Sequence, residues 1–305
     1  MAVPAGLKFD TLFDPQHGKL VEVAPGIARL VAPNSGPCTF TGTNTYLVGD
    51  TRIAVIDPGP KNEAHLEALT EAIGGRKVEA VVLTHTHADH AGLARIVQNR
   101  VDAPLLFEGK YRPMRQPGRL EFDPLRWAHI VMDPDFVLQD TDAIKLDGVA
   151  LTVATTPGHT ANHICLAVEG TGYLLTGDHV MGWSSTLVAD PDGAMGTYLD
   201  SLEKLQGVAA ARYLPGHGGE IFDGKGYAAA LKAHRLVREE QILAAVSGGA
   251  ATARAIAGRV YGALHRKTRW AALLTTRAHL FLLLEAGRVR RERAGWMGIG
   301  ERWEG

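Results

Sequence analysis

Hydrophobic and polar positions follow two rhythms along this chain. Over the first two-thirds, short apolar and β-branched runs alternate with turn residues. Residues 45–50 and 52–56 read as paired strands joined by a tight Gly49-Asp50-Thr51 turn, and Asp57-Pro58-Gly59 ends the second. Residues 62–73 predict a helix, with Leu66, Leu69 and Ile73 on one face and Gly74-Gly75 stopping it. Val78 to Leu83 is apolar apart from Glu79 and short enough for a buried strand, and a second helix is expected over 91–98. Further strands are expected at 143–147, 149–155, 163–168 and 172–176. Residues 108–128, with three prolines and two glycines, read as a long surface loop. After Gly226 the texture changes. Residues 228–246, 252–261 and 270–286 are rich in alanine and leucine at helical spacing, and a strand-like tail follows over 288–293. The shift divides the chain into a domain over 1–226 and a smaller, mainly helical one over 227–305.

Composition narrows the picture only a little. With 305 residues and 46% hydrophobic positions the chain can bury a sizeable core. A net charge of -1 demands neither a nucleic acid nor a membrane surface as partner. Neither cysteine, Cys38 or Cys165, belongs to a CxxC pair, which excludes a cysteine zinc knuckle; Cys165 reads as a buried strand thiol. No apolar run approaches the roughly 20 residues of a membrane span, and the first residues do not read as a signal peptide. A cytoplasmic location is expected.

The chemistry concentrates after the run at 78–83. His85, His87, Asp89 and His90 fall within six positions, a crowding that packing does not explain. Imidazole and carboxylate suit zinc, with iron or manganese as alternatives. Two of these residues alternate in extended backbone and two follow a bend, so they can face two adjacent ions. Three later segments each follow an expected strand: Thr156-Pro157-Gly158-His159, Thr176-Gly177-Asp178 and Pro215-Gly216-His217. Each alone is an ordinary turn. In this order they supply what a two-metal site still lacks. Two ions that share a water can lower its pKa toward neutrality and give a bridging hydroxide.

The His-x-His-x-Asp-His run resembles the signature of the metallo-beta-lactamase superfamily, with the likeness extending over roughly residues 20–225. The resemblance implies an α/β fold, a four-layer αββα sandwich with metals at one edge. By motif, one zinc ion would take His85, His87 and His159, and the second would take Asp89, His90 and His217. Asp178 would bridge the two, and Asp89 would also orient the nucleophile or carry its proton. Asp57 and His163 resemble family positions that hydrogen-bond a ligand from behind, although a satisfied buried histidine competes with that role at 163. Asn44 can approach the metals from the opposite sheet or serve a turn.

Within the superfamily, Thr156-Pro157-Gly158-His159-Thr160 with His163, and the Asp57-Pro58-Gly59 turn, look like glyoxalase II, a thioester hydrolase. The beta-lactamase-like protein 2 group resembles the chain more fully, through Gly177-Asp178-His179, Pro215-Gly216-His217-Gly218 and a winged-helix-like domain whose first helix matches 233–243. Some members of that group resemble single-stranded RNA nucleases. The expected activity is binuclear zinc hydrolysis of an ester, thioester or lactone in a small-molecule substrate. The alternative is a phosphodiesterase cleaving single-stranded RNA. A beta-lactamase is disfavoured by Asp178 and by the missing leader, and a di-iron oxygen-reactive protein by the lack of a flavodoxin-like domain. Arg288, Arg290, Arg291 and Arg293 could face RNA, but a solvated edge strand is the favoured reading; a homodimer stays open. Trp183, Trp270, Trp296 and Tyr198 are expected in core packing. His179 should point away from the ligands, and His17, His65, His129, His234, His265 and His279 are expected to be ordinary.

Overall fold

The computed structural model describes residues 7–118, 121, 123–146, 148–249, 251–263, 266–293 and 301–305. Two mixed sheets face each other. The first runs in sequence order from β1 (Val21–Ala24) through β2 (Ile27–Val31), β3 (Asn44–Val48), β4 (Arg52–Ile56), β5 (Lys77–Val82) and β6 (Leu105–Phe107) to β7 (Phe136–Val137). The second is ordered β12 (Arg212–Pro215), β11 (Tyr173–Gly177), β10 (Ile164–Val168), β9 (Ala150–Thr155) and β8 (Ala143–Lys145). Helices α1 (Glu63–Ile73), α2 (Ala88–Ala91) and α3 (Ala94–Val101) accompany the first sheet, and α4 (Met195–Lys204) accompanies the second. Three helices follow, α5 (Gly224–Ser247), α6 (Ala253–Tyr261) and α7 (Arg266–Glu285), with a hairpin of β13 (Arg290–Arg293) and β14 (Glu301–Glu304).

The apolar runs are nearly continuous because both faces of each sheet are covered. Along β4, Ala54 and Ile56 face the other sheet, while Ile53 and Val55 face α1 and α3. Along β10, Ile164, Leu166 and Val168 point into the space between the sheets, and Cys165 points to the outer layer beside α4 and α5. Three apolar clusters thus separate four layers: helix, sheet, sheet, helix. Local signals set the helix ends. Asn62 caps α1 by accepting from the His65 N–H, and Gly74 closes it in the left-handed region at φ 58°. Seven elements sequence reading gave no bounds for, β1, β2, β6, β7, β12, β14 and α4, are short or lie in loop-like sequence. The segment 108–128 holds only a short 3-10 turn among its described residues.

Topology brings the loops together. Strands β4 and β5 are parallel, as are β11 and β12, so their C-terminal ends share an edge. Strand β10 is antiparallel to β9 and β11, so the β9–β10 loop returns to that edge. Two backbone hydrogen bonds join the sheets there: Ile164 N–H to the Thr84 carbonyl and Asn44 N–H to the Gly216 carbonyl, both 2.8 Å.

Helix α5 belongs to two cores. Ala228 and Leu231 pack with α4 and Tyr213 beneath the second sheet; Ile242, Ala245 and Val246 pack with α6, α7 and Trp303. Helix α7 also reaches the first of these cores through Ala278. The expected break at 226 falls in the first turn of α5. No helix among the described residues is long and apolar enough to cross a membrane. Leu231→Ala should cost about 2–5 kcal/mol in denaturant unfolding. Because α5 and α7 are shared, fluorescence and circular dichroism should report one coincident transition; two separated transitions would contradict this packing.

Candidate metal centre

His85 and His87 follow the end of β5, His87 in extended backbone, and Asp89 and His90 come next in the short helix α2. His159 comes from the β9–β10 loop, Asp178 directly from the end of β11, and His217 from the end of β12. The structure gathers the seven into two groups whose ligand atoms lie within 4.8 Å of one another: His85, His87, His159 and Asp178, and Asp89, His90 and His217. His85, His90 and His217 are fully buried.

Proton positions in the first group follow from its partners. The Thr84 hydroxyl donates to Asp57 Oδ2 at 2.7 Å and so accepts from His85 Nδ1 at 3.0 Å. His159 Nδ1 donates to the Leu187 carbonyl at 2.7 Å. His87 Nε2 faces Asp192 Oδ2 at 3.4 Å. His85 Nε2 and His159 Nε2 therefore carry bare lone pairs, whereas His87 Nε2 makes no hydrogen bond and leaves Nδ1 free to hold the His87 proton. Yet His87 Nδ1 lies 2.9 Å from His85 Nε2 and 3.1 Å from His159 Nε2. One proton on His87 Nδ1 cannot fully serve two bare nitrogens, and three ring nitrogens converging on one point suit a cation.

The second group makes the same case by distance. His217 Nε2 lies 3.3 Å from both Asp89 Oδ2 and Asp178 Oδ1, and His90 Nε2 lies 3.3 Å from Asp178 Oδ1 and 3.6 Å from Asp89 Oδ2. Donors about 2.0–2.1 Å from a tetrahedral ion stand roughly 3.3–3.4 Å apart. His90 Nε2, His217 Nε2 and Asp178 Oδ1 are buried without hydrogen-bond partners, and these three atoms are the ones a metal would take. Their far sides are satisfied: His217 Nδ1 donates to the Gly42 carbonyl at 3.0 Å and His90 Nδ1 to Asp57 Oδ2 at 2.9 Å. Gly216 makes room, since a Cβ there would sit 2.6 Å from Asp178 Oδ1 and 2.7 Å from the His90 ring. The residues fit a pair of metal ions.

Electrostatics agree. Burial lowers the His159 imidazole to about 4, helped by His87, so it stays neutral and able to ligate at pH 7. Burial also works against charge on His90 and His217, but the carboxylates around them win. Asp89, Asp178 and Asp57 hold His90 well above its usual value, and Asp178 and Asp89 raise His217 to about 9. Asp178 is in turn held well below the carboxylate range, because His217 and His90 overcome its burial. Without a metal these histidines hold protons, and a bound cation displaces them.

The other expected residues take distinct places. Asp57, buried in the left-handed region at φ 48°, accepts from the Thr84 amide, the Thr84 hydroxyl and His90. His163 lies behind Asp178: its Nε2 accepts from the Asp178 amide at 3.1 Å, and its Nδ1 faces the Thr156 hydroxyl at 2.8 Å. Asn44 does not reach the ligand atoms. Its amide donates to the Pro215 and Gly218 carbonyls at 2.8 and 2.9 Å and so clamps the loop that carries His217. His179 turns away onto the Tyr198 ring at 4.8 Å.

Sequence reading missed several neighbours. His129 is not ordinary: it and Asp192 form a third cluster with His87, and His129 Nε2 meets Asp192 Oδ1 at 3.1 Å. It sits far along the chain from any ligand, so no spacing could reveal it. Trp183 and Trp270, expected in the core, instead line a cavity of about 420 Å³ that opens from His87, Asp89, His159 and Asp178. His234, also expected to be ordinary, lines it too. Tyr198 is fully buried, and Trp296 and His265 lie outside the described residues.

Fold and site together define a class: residues 38–217 match the metallo-beta-lactamase superfamily, and the chain belongs to it. It is a hydrolase of that fold with a His/Asp cluster able to hold metal ions. Among its relatives is the beta-lactamase-like protein 2 homolog of Caenorhabditis elegans, 28% identical over 91% of each chain. Another is the atrochrysone carboxyl ACP thioesterase AgnL7 of Paecilomyces divaricatus, 29% identical over 78% of this chain and 72% of that one. A beta-lactamase domain protein from Burkholderia ambifaria superposes with a TM-score of 0.80 at 26% identity, covering 100% of this chain and 98% of that one.

Removing the Asp57 carboxylate should loosen both Thr84 and His90. Asp57→Ala is expected to lower metal affinity about 10–100-fold in a chelator competition. An unchanged affinity would remove Asp57 from the site.

Proposed function

We propose that the chain is a binuclear, zinc-dependent thioester hydrolase. The observation that carries this reading is the cavity beside the ligands. Its wall is largely apolar, with Leu125, Ala128, Met181, Leu187, Trp183 and Trp270 beside the ligand residues, a lining suited to an acyl group. The thioesterase names of several relatives support the same bond type.

Bound metal ions would supply Lewis acidity and a nucleophile at neutral pH. The chain's own residues do the rest. Asp178 can serve both ligand groups, with Oδ1 toward His90 and His217 and Oδ2 3.8 Å from His159 Nε2. Asp89 has a quarter of its side chain exposed, against none for His90 and His217, and it faces the cavity, where it can accept a hydrogen bond from an attacking water. Trp183 and Trp270 wall the cavity and limit the water that reaches an acyl group.

Two arginines of the tail give little support to RNA as a substrate. Arg288 pairs with Glu239 and Glu240, and Arg291 with Glu121 and Glu301, so neither offers a free charge to phosphate. The test is a panel on metal-loaded protein: acyl thioesters of N-acetylcysteamine, a lactone, a lactam, an aryl phosphodiester and single-stranded RNA. Thioesters should lead, and His87→Ala and Asp178→Ala should each lower their hydrolysis roughly a thousandfold or more, with loss of bound metal. RNA cleaved in preference to thioesters, or hydrolysis intact in either variant, would overturn the reading.

A further inference from the structure

The same cavity has a second chemical end. His234 and Arg235, neighbours on α5, line its wall with Tyr261, Trp270 and Thr275 from α6 and α7. Arg235 is only 3% exposed, and among the described residues no carboxylate lies within ion-pair distance of it. Its Nη2 donates to the Thr186 carbonyl, its guanidinium lies 5.6 Å from the Tyr198 ring centre, and its Nε has no partner. His234, 8% exposed, leaves Nδ1 unpartnered. Arg238 lies one turn further along α5 with no carboxylate partner and donates to Gln241, and Glu239 pairs with Arg288. Burial, with the charges of Arg235 and Arg238, pushes His234 down to about 4, so it is neutral at pH 7.

An enclosed guanidinium with no counter-charge is costly, and a group with opposite charge offsets that cost. Here Arg235 and His234 are among the residues that line a ligand cavity. Thr186 ties this end to the chemistry: its carbonyl accepts from Arg235 and its hydroxyl donates to the Asp178 carbonyl at 2.9 Å.

We propose that Arg235 and His234 form an oxyanion-recognising subsite for a carboxylate on the substrate's acyl group, so that the preferred substrates are acidic acyl thioesters. This rests on the thioesterase reading. The buried wall suits the acyl part, because a thiol attached to a large carrier must extend toward solvent. Arg235 supplies the charge, and His234 one further hydrogen bond.

Two measurements test it. In the first, glutaryl and pentanoyl thioesters are compared as both N-acetylcysteamine and coenzyme A derivatives. The wild type should prefer glutaryl, and Arg235→Gln should cut that preference at least about tenfold, equal to about 1.4 kcal/mol, through KM. Arg235→Lys should restore part of it, and His234→Gln should weaken it less. A preference left intact by Arg235→Gln, or a loss confined to coenzyme A derivatives whatever the acyl group, would overturn the subsite. The second is calorimetric titration of glutarate, with glutaramide as the neutral control. Saturable binding of glutarate alone, weakened in Arg235→Gln, supports the subsite even if no thioester is cleaved. No binding, or equal binding in the variant, overturns it even if thioesters are cleaved.

Discussion

Asp57 holds the centre together from behind. Its carboxylate collects the Thr84 amide, the Thr84 hydroxyl and the His90 Nδ1 proton in one buried place. Each of those bonds determines something at the front. The hydroxyl that donates to Asp57 must accept from His85, which leaves His85 Nε2 bare. The His90 proton held at Nδ1 leaves Nε2 free toward Asp178 and Asp89. One carboxylate thereby selects the tautomers of two imidazoles in two different ligand groups. Its reach depends on the fold, since Asp57 lies at the end of β4 and Thr84 just beyond its parallel neighbour β5.

The arrangement costs stability unless something positive enters it. Three imidazole nitrogens converge to about 3 Å with at most one proton to share, and buried carboxylate oxygens without donors lose hydration. Protons answer part of the need, which is why His90 and His217 are held above their usual values. They answer it less well in the group of His85, His87 and His159, where burial pushes His85 and His159 down and the outer nitrogens of those two are committed to Thr84 and Leu187. The packing is explained if the chain is shaped around metal ions and the metal contributes to its stability.

Much of this was legible in the chain. Crowded histidines at 85–90 and glycine-flanked turns at 159, 178 and 217 named all seven ligand candidates, because donor type and strand-end position are local properties. The helix at 62–73 was legible from its cap and its apolar face. What stayed hidden depends on contacts between distant segments. His129 meets Asp192 across 63 positions. Asn44 could be placed near the site, but its grip on the Pro215 and Gly218 carbonyls appears only when the two sheets close. Trp183 and Trp270 looked like core residues because apolar pattern does not distinguish a core from a cavity wall. Arg235 was not singled out, since its distinction is a missing partner and a sequence does not show which charges go unpaired.

The central claim is that seven side chains from four loops hold two ions. It is tested most directly by metal stoichiometry of the purified protein, measured by plasma mass spectrometry alongside amino-acid analysis. The wild type should carry two ions per chain, and His217→Ala should retain about one, because the group of His85, His87 and His159 is built separately. A wild type that carries one ion or none after metal loading would contradict the account.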